Sequence, residues 1–292
     1  MLGAIIGDVA GSNYEVLEVR HLKKYHIPRS YEERIKILDK GTPLFTKESS
    51  ATDDSVLTCA IYDAIKNGNC EYEKYLREYG LREINMGQDS YGRSRFGKGF
   101  VEWLQGYYQG TSYGNGSAMR ISPVGFLFNT IDDIKKNSRL ATIPSHNHEE
   151  SLKASESVAL AIFLLRSGKT KEEVINYIKN NYYDLNFDLE TLQRVNTFSS
   201  KASITVPQAF YIFSISDSFE DSIRKAISIG GDSDTIAAIV GSLSESYYGI
   251  PDELKEKVKP YLSEYMYELL KDKYFEERKL SYERDSRVSN RK

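Results

Sequence analysis

The sequence predicts an all-α chain, and three observations carry that reading. Apolar residues recur at helical spacing along most of its length, period-2 alternation is scarce, and no strand–glycine-rich turn–helix unit occurs. No internal repeat, low-complexity block or linker divides the chain. The 292 residues, 40% of them hydrophobic, are therefore expected to close around one core as a single domain over 1–270. The remaining stretch, 271–292, is rich in charge and reads as a solvated tail.

Residues 2–15 read as a helix with Gly3, Gly7, Gly11 and then Glu15 spaced by four. Each glycine inside a helix costs about 1 kcal/mol against alanine, so a repeated one implies the close approach of another backbone. Glu15 would project from the end of that stripe. Residues 16–50, with Pro28, Gly41 and Pro43 as breakers, read as loops around a short helix near 31–39. Helices follow at 53–66, 71–85 and 97–108, the last carrying Trp103. Residues 109–120 form a turn-rich loop. Further helices are expected at 131–141, 149–166, 170–182, 189–200, 205–215 and 219–229, separated by Gly168, Asn186, Pro207 and Asp217. The segment 234–248 is the most apolar and is expected to be central. A last amphipathic helix is expected at 251–273, after Pro251.

Composition excludes several classes. A net charge of −3 supplies no basic field for nucleic acid or anionic membrane. No apolar run approaches the ~18 residues that span a bilayer. The apolar start meets Asp8 at once and lacks a basic leader, which argues against a signal peptide. Cys59 and Cys70, without a CxxC pattern, read as reduced thiols of a cytoplasmic protein, a disulfide between them being the alternative. The 22 tyrosines read as packing at the core edge.

Chemistry concentrates in two acid clusters, Thr52-Asp53-Asp54-Ser55 and Gly230-Gly231-Asp232-Ser233-Asp234-Thr235, each opening a helix. Thr or Asp before an apolar helix is an ordinary N-cap. Capping needs one acceptor, however, and not adjacent carboxylates flanked by hydroxyls. Four acids brought together without a cation would cost several kcal/mol in repulsion and desolvation. Asp, Thr and Ser oxygens are hard ligands that suit Mg²⁺, Mn²⁺ or Ca²⁺. Four histidines (His21, His26, His146 and His148) and no HExxH leave little for a histidine-rich metal site. The loop Ser112-Tyr113-Gly114-Asn115-Gly116-Ser117 has glycines spaced to aim backbone amides at phosphate oxygens, or to make an ordinary turn. It is no dinucleotide fingerprint, since Met119 occupies the third glycine position. His146 and His148 read as the start of a helix, where a histidine serves as a cap or as a ligand contact.

Taken together, these stretches resemble the ADP-ribosylglycohydrolase family. The likeness runs in order through Gly3 to Asp8 with Gly11 to Glu15, Phe45 to Thr58, Ser112 to Pro123, the His146 segment, and Ala226 to Pro251, over roughly residues 1–252. It implies a single compact orthogonal helical domain with two Mg²⁺ (or Mn²⁺) ions at the base of a cleft. By motif, Thr52, Asp53, Asp54, Asp232, Asp234 and Thr235 would be the metal ligands, and Glu15 and Asp232 the catalytic residues. Ser112 to Ser117, with Met119 and His146, would hold the ADP-ribosyl group. Ser55 and Ser233 stand where threonine is more usual, and Asn13 replaces a frequent proline ahead of Glu15. Asp89 is a candidate for the additional acid that some members place between 79 and 103.

The expected reaction is release of ADP-ribose from an ADP-ribosylated protein or other acceptor, through oxocarbenium-like charge on the ribose. Two alternatives stand beside it: another two-metal nucleotide phosphoesterase, and a catalytically silent ADP-ribose-binding protein.

Overall fold

Helix α1 spans Leu2–Tyr25 and sets the layout of the whole molecule. The computed structural model describes residues 1–87 and 96–276, so Asp89 and the end of the charged tail lie outside the described residues. After α1 come α2 (Tyr31–Ile35), α3 (Asp53–Lys66), α4 (Tyr72–Asn85) and α5 (Lys98–Leu104). The short α6 (Gly116–Met119) and α7 (Ser122–Leu127) precede α8 (Ile131–His146), α9 (Glu149–Arg166), α10 (Lys171–Asn181) and α11 (Leu189–Val195). The chain closes with α12 (Ala202–Ser214), α13 (Phe219–Ser228), α14 (Ser233–Tyr248), α15 (Asp252–Val258) and α16 (Glu264–Tyr274). Among the described residues, extended pairing is confined to the isolated bridges Thr111–His146 and Gly114–Lys201.

The glycine stripe of α1 meets α14, which runs antiparallel to it. A Cβ built on Gly3 would lie 2.3 Å from Gly241 O, one on Gly7 2.0 Å from Ala237 O, and one on Gly11 2.5 Å from Asp234 Cα. Backbone therefore touches backbone over three turns, and no side chain larger than hydrogen fits. Helix α14 is buried continuously from Ser233 to Ser244, with α9, α12 and α13 covering its other faces. This central position is the one its uniform apolarity predicts.

Several boundaries differ from the sequence pattern: α8 runs through Pro144 to His146 and not 141, and α11 ends at Val195 and not 200. Helix α1 runs on past residue 15, because 16–25 are good helix formers, and ends where His26 turns left-handed at φ 60° and returns its N–H to Leu22 O. Helix α5 stops at Leu104 and not 108, since Gly106 takes a positive φ of 81°. Helix α12 starts at Ala202, and Pro207 lies inside it and does not precede it. The expected helix 251–273 is two helices joined by a 3₁₀ turn at Lys259–Tyr261, because Pro260 has no N–H and restricts its neighbour. Helix α16 crosses residue 270.

Candidate active site

The first acid cluster is shaped by a residue from α1. Asp8, fully buried, accepts hydrogen bonds from Thr52 N at 2.9 Å, Thr52 Oγ1 at 2.7 Å, Ser55 N at 3.1 Å and the Ser55 hydroxyl. Thr52 is the N-cap of α3, its Oγ1 accepting from Asp54 N at 3.4 Å. Asp8 and Thr52 take the Thr52, Asp54 and Ser55 N–H groups, and the Asp53 carboxylate accepts from its own N–H. Asp54 Oδ1 is buried and has no hydrogen-bond partner among the described residues.

The second cluster is shaped by backbone. Gly230 and Gly231 take φ of 64° and 73°, left-handed values that L side chains resist. Their turn rests on the buried Arg34 guanidinium, which pairs with Glu18 of α1 and donates to Gln193 O at 3.0 Å and Asn196 O at 2.6 Å. Asp232 is the N-cap of α14 by position, yet its side chain makes no capping bond. Its Oδ2 accepts instead from Asn115 Nδ2 at 2.7 Å. Thr235 Oγ1 donates to Asp54 Oδ2 at 3.4 Å and links the two clusters.

Because α1 and α14 touch backbone to backbone, the acids converge. Asp8, Asp54 and Asp234 each bring an oxygen within 4.8 Å of the others, and so do Glu15, Asp232 and Asp234. The two triads share Asp234. Asp53 belongs to neither but lines the same cavity. Burial first, and then neighbouring carboxylates, push Asp53 up to about 8, with Asp8 and Glu15 the opposing charges. Asp232 is pushed up to about 7, by burial and then by Glu15. Asp54 and Asp234 stand well above the usual carboxylate range, for burial and then for Asp8 and Asp232 respectively. Burial and crowding disfavour the ionised carboxylates, and a bound cation would restore them.

The cavity above the acids measures about 530 Å³. All six sequence-predicted metal-ligand residues and Glu15 line it, as do Ser112, Gly114, Asn115, Gly116, Met119 and His146. Tyr113 and Ser117 do not. Tyr113 is half exposed with its ring edge-on to His148 at 5.7 Å, and the fully buried Ser117 hydroxyl donates to Ser151 O at 3.1 Å. The glycine loop is pinned across the cavity mouth by Asn115 N to Ser200 O at 2.9 Å and Ala202 N to Tyr113 O at 3.2 Å. His146 ends α8 and does not start a helix; His148 caps α9, its Nδ1 accepting from Glu150 N at 3.2 Å. A Cβ on Gly116 would stand 2.8 Å from His146 Nε2, so glycine there is what lets the imidazole reach the cavity wall. Burial, and then the nearby Arg120, hold His146 well below the usual histidine range.

The sequence pattern did not single out Asp8 as a site residue, nor Phe100, Tyr108 and Phe198, which wall the cavity. Asp8 had a usable signal, since it precedes Glu15 by two helical turns and so shares its face. The aromatic residues had none.

A family model described as ADP-ribosylglycohydrolase matches residues 1–284. Human ADP-ribosylhydrolase ARH3 is 24% identical, the match covering 88% of this chain and 86% of the relative. The ADP-ribosylarginine hydrolase Tri1 of Pseudomonas putida is 25% identical over 88% of this chain and 72% of its own. The ADP-ribosyl-[dinitrogen reductase] glycohydrolase of Rhodospirillum rubrum is 24% identical over 86% of this chain and 85% of its own. The solved structure of an ADP-ribosylglycohydrolase-related protein complex superposes with a TM-score of 0.60 at 21% identity, over 75% of this chain and 79% of that one, a likeness of fold. An all-α chain built on a glycine-striped helix pair, with two acid-bearing helix starts in one cavity, is thus an enzyme that belongs to the ADP-ribosylglycohydrolase family.

Proposed function

We propose that this enzyme hydrolyses the glycosidic bond at C1″ of an ADP-ribosyl group and releases ADP-ribose from an ADP-ribosylated protein or another modified acceptor. The observation that carries the reading is the pair of carboxylate triads sharing Asp234 beneath the glycine loop. The residues fit a pair of divalent cations: every donor is a hard oxygen, Asp54 Oδ1 is buried without a partner among the described residues, and four aspartates are pushed upward, first by burial and then by neighbouring carboxylates. Thr52, Asp53, Asp54, Asp232, Asp234 and Thr235 would hold two Mg²⁺, or Mn²⁺. When bound, such ions supply Lewis-acid stabilisation and a template for ribose hydroxyls.

The chain's own groups have distinct tasks. The amides around Gly114 and Gly116 approach the diphosphate, and the aromatic walls exclude water from the ribose. Asn115 holds Asp232 at a fixed orientation, and Asp8 holds the Thr52 to Ser55 turn. Glu15 takes a proton from the water that attacks C1″. The bond between C1″ and the acceptor breaks as the water oxygen bonds C1″, and the departing atom keeps the electron pair and receives the proton. The unpaired thiols Cys59 and Cys70 support a reducing, cytoplasmic setting.

The test is release of ADP-ribose from a panel of ADP-ribosylated acceptors with Mg²⁺ and with Mn²⁺, wild type beside Asp232→Ala. Equal turnover by the two proteins would sink the mechanism. AMP with ribose phosphate as products would make it a phosphoesterase.

A further inference from the structure

One buried charge beside the cavity is not used by the chemistry above. Arg120 is fully buried at the end of α6, and its Nη2 donates to Ala141 O at 2.9 Å and to Ser145 Oγ at 2.8 Å. Ser145 Oγ in turn lies 2.8 Å from His146 Nδ1. The polarity of this chain follows from what each group can do. A guanidinium has donors and no acceptor, so it cannot receive the serine proton. The Ser145 hydroxyl is buried, and among the described residues His146 Nδ1 is the acceptor in reach of its hydrogen. A protonated Nδ1 would leave that hydrogen stranded, at the penalty of a buried unsatisfied donor.

We propose that Arg120 is a positioning residue which, through Ser145, fixes His146 as the Nε2–H tautomer, so that His146 offers the cavity a hydrogen-bond donor and not a base. Nε2 has no partner among the described residues, and it faces the glycine loop, where Cβ atoms on Gly116 and Gly114 would stand 2.8 and 3.8 Å away. What it recognises is an acceptor oxygen of the ligand, anionic or hydroxyl. Naming that ligand as the ADP-ribosyl group rests on the proposed function; the tautomer does not. Arg120 keeps its charge at neutral pH even with burial pulling it down to about 9, and its nearness to His146 disfavours the imidazolium.

Long-range ¹H–¹⁵N correlation on the ¹⁵N-labelled full chain reads the tautomer directly, the His146 signals being those lost in His146→Gln. The expected result is a protonated Nε2 and a bare Nδ1. A protonated Nδ1 with a bare Nε2, or an even mixture, overturns the proposal. Ser145→Ala should convert the single tautomer into a mixture and weaken ADP-ribose binding about three- to tenfold, whereas Ser145→Thr keeps both. Arg120→Lys, donor-only like arginine, should keep the tautomer, and Arg120→Gln, which can accept, should loosen it. An unchanged pure Nε2–H form in Ser145→Ala would show that the relay is not its cause. Should the buried arginine variants fail to fold, the wild-type and Ser145 spectra still decide the matter. A wild type that shows the Nε2–H form but binds no ADP-ribose in calorimetry would leave the tautomer standing and refute the functional reading.

Discussion

The two helix starts that carry the acids look alike in sequence and are built in opposite ways. At α3, Thr52 caps the helix and Asp8 takes the Thr52 and Ser55 N–H groups, so the shape is held by side chains. At α14, Asp232 occupies the cap position and caps nothing, and the turn is held by two left-handed glycines over a buried arginine. In the first region one residue caps and its neighbours are free to bind. In the second the would-be cap is itself turned to the cavity. At α14 the Thr235 N–H is taken by Asp234 Oδ1 at 2.8 Å, and the Asp232 carboxylate, held by the Asn115 amide, is left to face the cavity.

The sharpest way to break this contrast is to remove the residue at the cap position of each turn. Asp232→Ala should lower the rate of ADP-ribose release about 10³-fold, ~4 kcal/mol of barrier, and Thr52→Ala only about tenfold. Equal losses in a kcat/KM comparison would mean that Asp232 is a cap like Thr52 after all.

Stability against pH comes next. Asp53 and Asp232 have folded pKa values of about 8 and about 7 against a reference of 3.8. Stability is thus fully present below about pH 4 as far as these groups are concerned, and is lost as pH rises to about 8, because the unfolded chain ionises first. The chelator-treated protein should lose on the order of several kcal/mol between pH 5 and pH 8 in denaturant titrations, and Mg²⁺ should flatten that slope. A chelated protein that grows more stable over the same range would contradict the charge crowding.

Backbone contact in the second region predicts that Gly7→Ala destabilises by about 2 kcal/mol, since its methyl would press on Ala237 O of α14. Urea unfolding measures it; an unaffected midpoint would show that the helix pair can slide apart freely. The smallest effect belongs to the first region. Ser55→Ala removes one of the four bonds onto Asp8 and should cost about 1 kcal/mol, with activity falling less than for Thr52→Ala.

Much of this was legible beforehand. The spacing of Gly3, Gly7 and Gly11 announced a backbone partner, and the structure supplies α14. The two acid clusters were readable as more than caps because each carries more acceptors than a cap can use. The glycine loop was legible as a unit but not residue by residue: Ser112, Gly114, Asn115 and Gly116 face the cavity, while Tyr113 and Ser117 turn away to His148 and Ser151. Irregular backbone has no fixed period, so its side-chain directions cannot be counted off as they can on a helix. His146 was misplaced for a different reason: its segment read as a helix start, whereas α8 continues through Pro144 and ends on it.

What the sequence determined by itself is therefore local and periodic: helices from apolar spacing, a close helix contact from glycines four apart, and carboxylates stationed at helix starts. These signals lie within a few residues of one another and survive without a partner. Only the tertiary structure decided that Asp8 organises a turn 44 residues away, that Asp234 belongs to both triads, and that Arg120 reaches His146 through Ser145. Those pairings depend on how α1, α3, α8 and α14 cross in space, and packing, which no local pattern encodes, sets those crossings.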